Sequence, residues 1–166
     1  MLVLGIDPGT AITGFGFVRE SSDGKLYVID YGVIETTTKL SPGERLLELY
    51  RALNKRISLH KPECGAVEKL FFQKNVTTAL SVGQARGVAI LALAEVGIPI
   101  FEYTPMEVKL AVSGYGSAQK EQVQTMVKAL LSLEEIPEPD DAADALATAI
   151  CHIHNQKFQH IVSQNK

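Results

Sequence analysis

The residues from Leu2 to Ile6 form an unbroken apolar run that ends on an aspartate, in LVLGIDPGTAITGFGFV, and one proline, three glycines and two threonines follow that aspartate before Phe17. A short apolar run bounded by turn residues reads as a buried strand. An acid that closes such a strand is costly to desolvate unless it is paired, protonated or bound to a cation. The first element of the chain therefore has to lie within a sheet, and Asp7 at its end marks a site.

The rest of the pattern extends that sheet. Gly14 to Glu20 and Leu26 to Thr37 are β-rich runs joined by the turn Ser21-Ser22-Asp23-Gly24, which predicts an antiparallel three-stranded meander. Ser41-Pro42-Gly43-Glu44 is a capping box with proline at the first helical position, and Leu46, Leu49, Tyr50, Leu53 and Ile57 then recur at helical spacing. Pro62 ends that helix, and Ala66-Val67-Glu68 begins a strand that again closes on an acid. A long helix is predicted from Thr77 to Val96, with Gly97 as its cap and Pro99 beyond it. Its small residues Ala79, Gly83, Gly87 and Ala94 permit close approach of another helix. Pro99 to Glu102 reads as a short strand, Pro105 to Val112 as a short helix, and Ser113 to Ser117 as a loop. Ser117 caps the next helix, and the final helix runs from Asp140 to about His154. Three antiparallel strands followed by strand and helix alternation give an α/β fold, a mixed five-stranded sheet flanked by helices in the ribonuclease H-like layout. One domain is expected over residues 1–155, with 156–166 a polar, disordered tail.

Composition narrows the function classes. With 46% hydrophobic and 21% charged residues the chain is neither disordered nor fibrous. Cys64 and Cys151 match no metal spacing and read as reduced core residues. The apolar N-terminal run is interrupted by Asp7 and has no basic leader, and Gln84, Arg86 and Glu95 argue against a membrane span from Ala79 to Val96, so a cytoplasmic protein is expected. A net charge of −3 opposes a polyanionic partner, unless clustered acids hold divalent cations that reverse the local sign.

Asp141 and Asp144 supply more acids of the same kind. In PDDAADALATAICHIH they stand three apart, one helical turn along a shared face, while Asp140 is placed to cap the helix. If the first and fourth strands are neighbours and this helix packs across them, Asp7, Glu68, Asp141 and Asp144 converge. Four carboxylates in one place repel unless a cation neutralises them. Oxygen-only ligands favour Mg²⁺, with Mn²⁺ as a substitute, and a two-ion arrangement suits in-line displacement at phosphorus.

Four blocks in order, GIDPGTAITGFG, VEKLFFQKNVTTALSVGQARGVAI, FEYTPMEVKLAVSGYGSAQKEQV and DDAADALATAICH, closely resemble the RuvC family of bacterial Holliday junction resolvases over nearly the whole chain. The resemblance implies a homodimeric, magnesium-dependent endonuclease that nicks four-way DNA junctions in pairs, leaving 5′-phosphate ends. It puts Asp7, Glu68, Asp141 and Asp144 on the family's catalytic carboxylates and Phe71 on its aromatic wedge. Lys109 and Lys120 fall on its basic positions, Lys74 and Arg86 are further DNA contacts, and RuvA and RuvB are implied partners. The rival readings are a YqgF-like RNA nuclease of the same fold and a non-catalytic junction-binding protein. An actin-like ATPase needs a second lobe for which 166 residues leave no room.

Overall fold

Strand β1 (Leu2–Asp7) is the centre of a five-stranded sheet with the order β3-β2-β1-β4-β5. It pairs antiparallel with β2 (Ile12–Glu20), which pairs antiparallel with β3 (Leu26–Glu35), so the expected meander forms one half of the sheet. Its other edge pairs parallel with β4 (Cys64–Glu68), and β4 pairs parallel with β5 (Ile100–Tyr103). Helix α1 (Pro42–His60) precedes β4, and α2 (Val76–Glu95) connects β4 to β5. Helices α3 (Pro105–Ser113), α4 (Lys120–Leu130) and α5 (Asp140–Gln164) complete the chain. The computed structural model describes residues 1–69 and 76–164.

Alternation along β1 decides what lies on each side. Leu2, Leu4 and Ile6 face α1 and α2, where Leu49, Leu53, Ile57, Ala89 and Leu93 close one core. Val3 faces the opposite way, into a second core with Val18, Ala66, Val123, Val127, Leu146 and Ile150. Leu4 and Leu53 are fully buried, and each such side chain contributes about 2 kcal/mol of transfer free energy. The capping box at Ser41 starts α1 as its sequence predicts, and Thr104-Pro105-Met106-Glu107 builds a second one at α3.

Helix α5 lies almost flush on the sheet. From Ala142 to Ile153 it is buried nearly without interruption, and Asp144 is the one acid in that stretch. Close approach is possible because the strands present glycine there: a Cβ on Gly5 would overlap the Ala145 carbonyl, and one on Gly14 the Asp141 carbonyl.

The structure corrects two boundaries. Helix α5 continues past His154, where the sequence pattern ends it, to Gln164. Nothing in Asn155–Gln164 breaks a helix, and Lys157 Nζ ties the segment to the β2–β3 end through Glu20 (2.7 Å) and the Gly24 carbonyl (3.2 Å). Helix α4 starts at Lys120 with Gln119 as its N-cap, not at Ser117. The Ala118 N–H is spent on a turn to the Tyr115 carbonyl (3.1 Å), and Gln119 N–H donates to Gln122 Oε1 (2.9 Å).

Candidate active site

The parity that sorts the core also aims the acids. Asp7 is odd-numbered like Val3 and Gly5, so its side chain emerges on the α5 side at the C-terminal end of β1. In the parallel register Ile6 lies opposite Val67, which sets Asp7 beside Glu68. Glu68 follows Cys64 and Ala66 at a spacing of two, so it shares that face. The third contribution comes from α5. Gly14 pairs with Asp7 in the β1–β2 register and accepts the Asp141 backbone, which delivers the first turns of α5 to the ends of β1 and β4.

The electrostatics record this convergence. Burial, then the charges of Glu68, Asp144 and Asp141, push the Asp7 carboxyl far above the usual carboxylate range. The Asp7 and Glu68 carboxyls stand within hydrogen-bonding reach of each other, which raises Asp7 further and lowers Glu68. Burial raises Glu68 as well, while hydrogen bonding with Asp7 and the positive charges of Lys109 and Lys120 pull it back. Asp144 is likewise raised by burial and eased by Lys120. The Lys120 ammonium stands 3.2 Å from Asp144 Oδ2 and 3.1 Å from Asp140 Oδ2. Glu68, Lys109, Lys120 and Asp144 together line a single 180 Å³ cleft, walled by Val108 and Val123.

Arg86, Tyr115, His152 and the two cysteines lie outside this cleft. The Arg86 guanidinium is ion-paired with Glu102 on β5. Phe71 and Lys74 lie outside the described residues. Tyr115 is 65% exposed, in the loop between α3 and α4. His152 is buried against the Phe101 ring with Nδ1 2.8 Å from the Tyr103 hydroxyl, and burial pushes its pKa down to about 4. Cys64 and Cys151 are buried free thiols, pushed up to about 11 and about 12 by burial, which leaves them unreactive. Gln124, which the sequence pattern does not single out, reaches Asp140 beside the cleft. Its Nε2 donates to Asp140 Oδ1 at 2.8 Å, and the available signal was its i, i+4 spacing from Lys120 on α4.

Among the described residues no three His, Cys, Asp or Glu side chains are gathered tightly enough to hold an ion as they stand. Asp144 is turned onto Lys120, with Oδ2 3.2 Å from the ammonium. The donor chemistry nevertheless fits a hard divalent cation. Every candidate ligand is a carboxylate, and burial first, with neighbouring carboxylate charge behind it, raises Asp7, Glu68 and Asp144, a cost that a bound cation would offset. Among the described residues no helix is long and apolar enough to cross a membrane.

A family model described as Crossover junction endodeoxyribonuclease RuvC matches residues 3–152. The chain is similar to the crossover junction endodeoxyribonuclease RuvC of Pelotomaculum thermopropionicum, with 54% identity over 159 residues that span 96% of each protein. Its fold is similar to that of Thermus thermophilus RuvC, with a TM-score of 0.90 and 36% identity over 96% of this chain and 97% of the other. The structure of T. thermophilus RuvC in complex with Holliday junction substrate matches with a TM-score of 0.87 and 34% identity over 95% and 96%.

Proposed function

The chain belongs to the RuvC family of crossover junction endodeoxyribonucleases, and from that premise we propose that it resolves four-way DNA junctions by paired symmetric nicks, with Asp7, Glu68, Asp141 and Asp144 as its catalytic centre. The observation that carries the site is the register that sets Asp7 beside Glu68, with Glu68 and Asp144 facing Lys109 and Lys120 in one cleft. The four carboxylates would hold divalent cations, Mg²⁺ with Mn²⁺ as a substitute and two per site. Bound there, these ions supply Lewis-acid activation of the attacking water and stabilisation of the leaving oxygen. The chain's own residues do the rest. Lys109 and Lys120 bind phosphate oxygens and keep the cleft attractive to DNA against a net charge of −3. Phe71 stacks on a base freed at the junction centre, with Lys74 and Arg86 as outlying phosphate contacts.

Two equivalent nicks require two equivalent sites, which a symmetric homodimer provides. Helix α2 is our choice for its contact. Ala85, Ala89, Ala92 and Leu93 face the core, whereas Leu80 and Leu91 are 67% and 57% exposed. Gly83 and Gly87 have open space around them, so a second copy of α2 can come close. Residues 1–155 act as the nuclease domain, and RuvA and RuvB are the partners that deliver the junction. The test is magnesium-dependent cleavage of a synthetic mobile four-way junction beside linear duplex and RNA–DNA hybrid. Symmetric nicking of the junction alone is expected. Cleavage of the hybrid with the junction intact would replace the substrate assignment by an RNA one.

A further inference from the structure

Asp140 stands next to the catalytic carboxylates in sequence and meets one of them, Asp144, at the Lys120 ammonium that the two share. The charge of Asp140 acts on Asp144 but is not among the groups that raise Asp7. Asp140 instead opens α5 with both oxygens engaged by α4: Oδ1 accepts from Gln124 Nε2 at 2.8 Å, and Oδ2 pairs with Lys120 Nζ at 3.1 Å. Lys120 and Gln124 are one turn apart on α4, so they grip a single carboxylate from the same helix face. Gln124 is 9% exposed, so its amide is held in place, while the Asp140 carboxylate that it binds is 62% exposed.

Lys120 is unfavourably placed for a cation, at the first residue of a helix whose N-terminus carries partial positive charge. Two acids hold it there, Asp140 and Asp144. Asp144 also belongs to the catalytic set, and an ammonium and a divalent cation repel each other strongly on one carboxylate. We propose that Asp140, locked by Gln124, is a positioning residue that retains the Lys120 ammonium at the cleft when Asp144 is taken by a divalent cation. This rests on the metal-dependent reading above. It gives Asp140 a duty distinct from ligation, because Gln124 turns one of its oxygens to α4 and leaves the other for Lys120. Without it, Asp144 is the one acid left within ion-pair distance of Lys120 among the described residues, and the ammonium swings away once Asp144 is engaged.

The test follows Lys120 itself, without DNA. The full chain is treated with a succinimidyl ester, and acylation of Lys120 is timed by mass spectrometry in EDTA and in Mg²⁺, for wild type, Asp140→Asn and Asp140→Glu. Asn keeps an oxygen for Gln124 but not the charge. Wild-type Lys120 should react at similar rates in both media. In Asp140→Asn it should react about two- to fivefold faster on adding Mg²⁺, the factor expected for loss of one exposed ion pair, and Asp140→Glu should restore the wild-type pattern. Equal Lys120 rates for wild type and Asp140→Asn in Mg²⁺ would overturn the proposal. Mn²⁺ binding, read by electron paramagnetic resonance on the same proteins, checks the alternative role. A tenfold or greater loss of Mn²⁺ affinity in Asp140→Asn would make Asp140 a ligand and refute the positioning role, whereas unchanged affinity supports it. Finally, Asp140→Asn should add nothing to the cleavage defect of Lys120→Met in single-turnover assays, and additive losses would overturn it. Failure of wild type to cut a junction would indict the functional reading and leave the acylation result standing.

Discussion

Replacing Gly14 by alanine tests how α5 is brought to the site. Gly14 is not among the positive-φ glycines, so its backbone accepts alanine and the whole effect is steric. The added Cβ would fall inside the Asp141 carbonyl and 3.2 Å from Ala142 N. Restoring ordinary contact requires α5 to retreat by roughly 1–1.5 Å at its first turn. Overpacking of this kind costs about 1–3 kcal/mol, or roughly 3–10 °C in Tm for a domain of this size. Misplacing reacting groups by about 1 Å costs on the order of 100-fold in rate, so cleavage should fall by that factor in protein that is still folded. Junction binding in Ca²⁺ should hardly change. Gly43→Ala, where a Cβ meets open space, is the control and should match wild type. The assay pairs thermal melts with single-turnover junction cleavage. A folded Gly14→Ala protein that cuts at the wild-type rate would refute the claim that this glycine sets the position of Asp141 and Asp144.

Three further outcomes are expected. His152 is held neutral by burial, with a folded pKa near 4 against 6.5 for the free side chain. The unfolded chain therefore takes up the proton first, and the contribution, fully present above pH 6.5, is lost progressively as pH falls toward 4, up to about 3 kcal/mol; urea midpoints of His152→Gln should vary less over that window than those of wild type. Leu91→Glu, on the exposed face of α2, should yield a monomer by light scattering that keeps its fold, and a persistent dimer would move the interface elsewhere. Arg86→Met should destabilise by about 2 kcal/mol because it strands Glu102, and adding Glu102→Leu should recover most of that. A loss that the second change does not recover would mean Arg86 contributes through something other than this pair.

Much of the scaffold is legible because it rests on local chemistry. The run into Asp7, the box at Ser41 and the pair Asp141 and Asp144 each carry their signal within a few residues. What the sequence hides is set by distant contacts. The extension of α5 to Gln164 depends on Lys157 reaching Glu20 and Gly24, more than a hundred residues away in sequence. The start of α4 turns on the Ala118–Tyr115 bond rather than on the serine that looks like a cap. Arg86 reads as a basic residue on a helix, and only the placement of β5 beside β4 gives it Glu102 as a partner. Asp140 shows both limits: its cap-like position is visible in the chain, but its grip on Gln124 and Lys120 is not.

The central claim is that Asp7 is the hub of one metal-dependent catalytic centre. The direct test compares wild type and Asp7→Asn on a labelled four-way junction, with binding read in Ca²⁺ and single-turnover cleavage in Mg²⁺ on the same preparations. Asn preserves the shape and removes the charge at the position where the other three carboxylates converge. Equal binding with cleavage reduced by at least about 1,000-fold is the predicted result, on the scale of losing a group that acts in the transition state. Cleavage by Asp7→Asn within tenfold of wild type would contradict the account.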